Sequence, residues 1–251
     1  MCLHLIAAGV SIVNAKKLNW PLHSGGTVNL NEASSPDPHA GTRTLLAGAR
    51  LEEAAGALIA VHGRGASADD IVSLAQEIAP PRIAIVAPEA AGSTWYPYRF
   101  LEPTARNEPY LGSALRRIRK LFEMLDEQGL PPERIALVGF SQGACLALES
   151  SARDAQRYAA IVGFSGGLIG PPGTKFSYPG SFAGTPVLLG CSDIDAHIPV
   201  ERVYESAAAL SALGASVDTR IYPGMGHTVN LDEIRAARLL LNEAFFGTSA
   251  D

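Results

Sequence analysis

The chain has 251 residues, of which 47% are hydrophobic and 18% charged, enough apolar content for one α/β domain without disulfide or metal staples. Net charge is 20 − 25 = −5, and the longest basic cluster, Arg116-Arg117-Ile118-Arg119-Lys120, reads as a solvated helix face, which excludes a nucleic-acid binder. Three cysteines (Cys2, Cys145, Cys191) cannot build a disulfide framework and point to a reducing, cytoplasmic setting, while no apolar run is long enough to span a bilayer.

Residues 1–40 read as an N-terminal extension, peripheral or partly ordered, and 41–251 as a single catalytic domain. Residues 3–13 are apolar like a signal-peptide core, but no Lys or Arg precedes them and Val13-Asn14-Ala15 is a poor cleavage sequence. The segment Ser34-Ser35-Pro36-Asp37-Pro38-His39 is turn-rich and expected to be exposed. His4, His23 and His39 have no partners at metal-ligand spacing and read as surface or packing residues.

Two strands are expected between Arg43 and Val61, the second a continuously apolar run, Ala57 to Val61, as in a strand buried on both faces. It leads into a glycine-rich loop, His62-Gly63-Arg64-Gly65, and then a helix over 68–78 that Pro80-Pro81 stops. A strand follows at 82–87. After it comes an aromatic loop, Trp95-Tyr96-Pro97-Tyr98-Arg99-Phe100, in which Trp95 and Tyr96 are candidates to wall a substrate pocket. Apolar spacings of three and four from Leu111 to Leu125 predict a helix over about 108–128, capped by Gly129.

The next stretch organises the rest. Ile135 to Val138 is a buried-strand pattern, and the Ala- and Leu-rich run from Gln142 is helical. Between them lies Gly139-Phe140-Ser141-Gln142-Gly143, a G-x-S-x-G sequence at a strand-to-helix junction. There a sharp turn strains the serine backbone and holds its hydroxyl at the carboxyl edge of a sheet, above a helix N-terminus. Gly163-Phe164-Ser165-Gly166-Gly167 matches the same pattern, but Leu-Ile-Gly-Pro-Pro-Gly after it cannot start a helix. Ser141 is therefore the candidate nucleophile, and Ser165 a candidate lining residue at the end of the next strand.

The remaining elements are a Gly- and Pro-rich loop too short for a cap domain, strands at 186–190 and 216–222, and helices at 199–213 and 231–246. Strands alternating with helices imply a mostly parallel sheet covered on both faces. On such a sheet a catalytic serine is followed in the chain by an acid and then a histidine, each from a strand-end loop. The candidates are Asp193 or Asp195 for the acid and His227, between Gly226 and Thr228, for the base; His62 and His197 fit that role less well. The amides of Gln142 and Arg64 are the candidate donors to an oxyanion, and the Arg64 side chain is expected to reach solvent.

These residues resemble the phospholipase/carboxylesterase family of α/β-hydrolases. The resemblance rests on H-G-x-G at His62 to Gly65, G-F-S-Q-G at Gly139 to Gly143, D-x-x-[IV]-P at Asp195 to Pro199, and Gly226-His227, over about residues 43–246. It implies an α/β-hydrolase fold without a cap domain, a triad of Ser141, Asp195 and His227, and an oxyanion hole from Arg64 and Gln142. It also implies no metal and no organic cofactor, and it favours Asp195 over Asp193. Ala196 in place of a common proline, and the arginine in the H-G-x-G loop, depart from the pattern. The function expected is a serine carboxylesterase acting on small carboxylic esters, as a monomer or homodimer without membrane insertion. Thioesterase or lysophospholipase activity is the alternative, and a non-catalytic binding protein on a hydrolase scaffold the reading from another class.

Overall fold

The computed structural model describes residues 11–13 and 36–247. Eight strands form one sheet: β1 (Ser11–Val13), β2 (Thr44–Gly48), β3 (Gly56–Val61), β4 (Ile83–Pro88), β5 (Ile135–Phe140), β6 (Ala160–Phe164), β7 (Pro186–Ser192) and β8 (Ser216–Tyr222). Their order is β1-β2-β4-β3-β5-β6-β7-β8; β1 and β2 run antiparallel to their neighbours and the others are parallel. The helices are α1 (Ala68–Ile78), α2 (Tyr110–Glu127), α3 (Gln142–Arg153), α4 (Val200–Ala212) and α5 (Leu231–Phe246). This is the mostly parallel, helix-covered sheet that the sequence predicts, and no cap domain is seen among the described residues.

The central strands are apolar on both sides because both sides are covered. Ile59 and Val61 of β3, Leu137 of β5 and Leu189 of β7 pack with α2, α3 and α4. Their neighbours Leu58, Ala60, Val138 and Leu188 pack with α1 and α5 on the other face. Such strands bury successive side chains in opposite layers, which is why their sequences read as unbroken apolar runs rather than alternations. Two helices start on capping boxes, with Ser67 paired to Asp70 on α1 and Asn230 paired to Glu233 on α5.

β3 and β5 are neighbours, and the crossover from β3 leads to β4 on one side while that from β5 leads to β6 on the other, so the two run in opposite directions along the sheet. In open α/β sheets a crevice forms at the strand carboxyl ends where the order reverses. The His62–Gly65 loop and Ser141 emerge there.

Two expectations for the N-terminal part fare differently. The signal-peptide reading falls mostly outside the described residues, although Ser11–Val13 pairs with Thr44–Leu46 as a strand the sequence did not announce. Of the described end of the segment expected to be exposed, Pro36 is exposed, Asp37 and Pro38 are half-buried, and His39 is fully buried. Its Nε2 meets the Trp95 carbonyl at 2.9 Å and its Nδ1 accepts from the Ala91 N–H at 3.0 Å. Asp37 accepts from the Ser113 hydroxyl and lies near Arg116 and Lys120, tying the turn to α2.

Candidate active site

At the β5–α3 junction Ser141 has φ 56° and ψ −121°, a conformation L-residues avoid. The turn holds because the flanking positions are glycine. A Cβ on Gly143 would lie 2.1 Å from the Val61 carbonyl oxygen, and one on Gly139 would lie 2.4 Å from the Gly143 backbone. Only bare backbone lets α3 press this closely on β3 and β5.

The hydroxyl thus presented lies 2.8 Å from His227 Nε2, and His227 Nδ1 lies 2.7 Å from Asp195 Oδ2. The other carboxylate oxygen, Oδ1, accepts the backbone N–H groups of His197 (2.8 Å) and Ile198 (3.1 Å). Burial by itself would raise the Asp195 pKa. The hydrogen bond from His227 and the two amides outweigh it, and the carboxyl stays below its usual range. With Asp195 ionised, Nδ1 of the imidazole carries the proton and Nε2 is free to accept from the Ser141 hydroxyl. Asp193 has another partner: its Oδ1 accepts the Gly224 N–H at 2.8 Å, joining the β7 loop to the loop that carries His227.

The glycine-rich loop after β3 runs beside the serine. A Cβ on Gly63 would meet Ser141 Cβ at 3.5 Å. Neither the Arg64 nor the Gln142 N–H has a protein acceptor among the described residues, and Gln142 opens α3, where the first amides have no partner within the helix. His62 is buried and serves the loop: its Nδ1 donates to the Gly63 carbonyl and its Nε2 accepts from the Ala90 N–H. Burial lowers its pKa and keeps it neutral.

Several expected roles change. Trp95 does not wall the cleft. It is fully buried between the rings of His39 and His62, and its indole N–H donates to the His62 carbonyl at 2.8 Å. A tryptophan with its one donor satisfied is better placed sealing the core under the loop than facing water. Ser165 is also buried outside the cleft, its hydroxyl without a hydrogen-bond partner among the described residues and its N–H donating to the Gly190 carbonyl. The Arg64 side chain is exposed, but it is not free. It donates to Thr94 Oγ1 and to the carbonyls of Tyr96, Pro97 and Tyr98, and so braces the aromatic loop. The Gln142 side chain braces the same loop, accepting from the Trp95 N–H and donating to the Tyr96 carbonyl.

A cleft of about 290 Å³ opens over Ser141 and His227, and Tyr96 is among the residues that line it. Phe100, Phe140, Cys145, His197 and Ile198 line it too, although the sequence does not single them out as pocket residues. The signal for Phe140 lies in the motif, since the residue before an elbow serine sits at the same strand end. For Phe100 and Ile198 no local pattern marks a cleft residue, because either could equally have been core.

A serine on a strained strand-to-helix turn, at the reversal of a mostly parallel sheet, defines an α/β-hydrolase fold. The chain belongs to the phospholipase/carboxylesterase family, whose sequence model matches residues 48–244. It is similar to a crystal structure of a phospholipase/carboxylesterase from Dyadobacter fermentans, 39% identical with TM-score 0.77, over 80% of this chain and 96% of that one. A "Probable carboxylesterase" of Oryza sativa subsp. japonica is 27% identical over 73% of this chain and 86% of its own length. Acyl-protein thioesterase 1 of Gibberella zeae is 33% identical over 52% of this chain. Alignments with that protein and with its Saccharomyces cerevisiae namesake span only 59% and 55% of their lengths.

Proposed function

We propose that the protein is a serine carboxylesterase that cleaves small carboxylic esters through an acyl-enzyme on Ser141. The observation that carries the reading is the unbroken hydrogen-bond line from Ser141 Oγ through His227 to Asp195. In this reading His227 takes the serine proton as Oγ attacks the ester carbonyl. Asp195 holds the imidazole in the required tautomer and offsets the charge it gains. The N–H groups of Arg64 and Gln142 receive the oxyanion. His227 then passes its proton to the leaving alcohol, and a water activated the same way releases the acid and restores the serine. No step calls for a metal or organic cofactor, and the buried free thiols Cys145 and Cys191 suit a reducing cytoplasm.

The matches to acyl-protein thioesterases support a second reading, in which the leaving group is a thiol and the steps are otherwise the same. A panel of p-nitrophenyl esters and acyl-CoAs of rising chain length separates the two. The test of the common chemistry is Ser141→Ala, which should abolish hydrolysis and fluorophosphonate labelling. Ser165→Ala should keep most of both. Equal loss from Ser165→Ala in a folded protein would overturn the assignment, and a Ser141→Ala protein that still turns over would overturn the reading.

A further inference from the structure

In a chain of net charge −5, the walls of the catalytic cleft contain no carboxylate among the described residues, but they contain two guanidinium groups, Arg64 and Arg99. The one acid of the site, Asp195, has a fully buried side chain spent on His227 and two amides. Arg64 is fixed by four acceptors, and all four are neutral: a threonine hydroxyl and three carbonyls. Arg99 stands exposed near the end of the aromatic loop, and its one hydrogen bond among the described residues goes to the His197 carbonyl at 3.3 Å. Neutral acceptors orient a guanidinium without cancelling its charge. Two other arginines nearby are paired with carboxylates, Arg106 with Glu102 at 2.7 Å and Arg202 with Glu205 at 2.7 Å. Among the described residues the cleft therefore keeps two positive charges without a counter-ion.

Charged donors without counter-ions beside a scissile-bond site attract a negative group on the substrate, and a guanidinium holds a carboxylate or phosphate through two parallel N–H bonds. We infer that the preferred substrates are esters carrying an anionic group, a carboxylate or a phosphate, which Arg99 binds at the cleft wall. This deepens the carboxylesterase reading and rests on it. Arg64, occupied by its four acceptors, contributes field rather than contact. Arg99, with one hydrogen bond among the described residues, supplies the contact.

The test uses two matched pairs of substrates. Mono-p-nitrophenyl adipate against p-nitrophenyl hexanoate places the anion on the acyl side. The butyrate ester of glycerol 3-phosphate against monobutyrin places it on the leaving group. The quantity read is the ratio of kcat/KM for the anionic member over the neutral one. In the wild type one pair should favour the anion, and that pair tells which side of the ester faces Arg99. Arg99→Gln should lower the ratio on the order of tenfold, about 1.4 kcal/mol. Arg99→Lys should keep much of it, Arg119→Gln on distant α2 should leave it unchanged, and about 0.5 M salt should shrink it. The inference is overturned if both pairs favour the neutral ester, or if Arg99→Gln leaves the ratio within about twofold. If the neutral esters are still cleaved in a Ser141-dependent way, only this inference falls. If no ester is, the carboxylesterase reading falls and this inference with it.

Discussion

Two aspartates on one loop have the same side chain and different work, because each carboxylate is defined by what it accepts. Asp195 gives one oxygen to His227 and the other to two amides, whereas Asp193 gives one oxygen to the Gly224 N–H. Asp195→Asn would replace an acceptor facing Nδ1 with an amide that can donate, and so favour the tautomer with the proton on Nε2. The equivalent change in a serine protease triad lowers kcat on the order of 10⁴, and a loss of about 10²–10⁴ is expected here. Asp193→Asn keeps an oxygen for Gly224 and should hold kcat within about tenfold, a barrier change below ~1.4 kcal/mol. Both are measured as kcat beside a melting curve; a dead Asp193→Asn and an active Asp195→Asn at equal Tm would reverse the roles. The native Asp195 carboxyl sits below its unfolded value, so its stabilisation is fully present above about pH 4 and is lost only as pH falls through the native value. The Tm gap between wild type and Asp195→Asn should therefore stay level from pH 8 to 5 and close only in acid. The pairing of histidine with serine was legible in the sequence, because loop chemistry and chain order both point to it. The choice of aspartate was not, since two carboxylates two residues apart differ only in partners that come from elsewhere in the chain.

At the scale of elements, the elbow works because α3 lies almost on the backbone of β3. Gly143→Ala would drive a methyl group into the Val61 and His62 carbonyls, both within 2.5 Å of the new Cβ. Backbone cannot rotate aside as a side chain can, so a loss of at least about 2 kcal/mol is expected, read as a fall in Tm together with activity. Gly226→Ala, beside His227, meets nothing within 4 Å and should melt within about 0.5 kcal/mol of wild type. His39 makes a different kind of link, from the chain before β2 to the aromatic loop. His39→Ala would leave the Trp95 carbonyl and the Ala91 N–H unpaired in a buried setting, a cost of about 1–3 kcal/mol that a melting curve would register. Strands and helices with strong apolar periods were legible to within about two residues: α1 at 68–78, α5 at 231–246, β8 at 216–222. The braces were invisible. Arg64, Gln142 and His39 act on carbonyls and amides of a distant loop, and backbone partners leave no trace in a sequence pattern.

For the molecule as a whole, the response to pH is set by buried groups that cannot ionise freely. His39 and His62 have pKa values lowered by burial, so below about pH 6.5 the unfolded chain takes up protons that the native state refuses, and stability falls on acidification. Glu233 pulls the other way. It is fully buried in the first turn of α5, where one oxygen accepts the Asn230 N–H at 2.8 Å and the other has no partner among the described residues. Its carboxyl lies against β7, so close that a Cβ on Gly190 would be 2.1 Å from Oε1. Burial, helped by the neighbouring charge of Asp232 and opposed by the Asn230 N–H, pushes its pKa up to about 7. Between the ordinary glutamate value near 4.3 and about 7, the native state therefore binds the extra proton, and stability declines as pH rises through that window. Above it the cost of the buried charge is constant. Glu233→Gln keeps an oxygen for the Asn230 N–H and removes the titration. The variant's Tm should gain on the wild type steadily from pH 5 to about 7 and then hold its lead. Each kcal/mol is worth about 2–4 °C in a domain of this size, so the lead at pH 8 should exceed that at pH 5 by several degrees. Taking the difference between the two proteins cancels the histidine contributions, which both share. A difference that stays flat from pH 5 to 8 would mean that Glu233 is already ionised in the native state at pH 5, and that α5 is held to β7 by a buried carboxylate rather than a carboxylic acid.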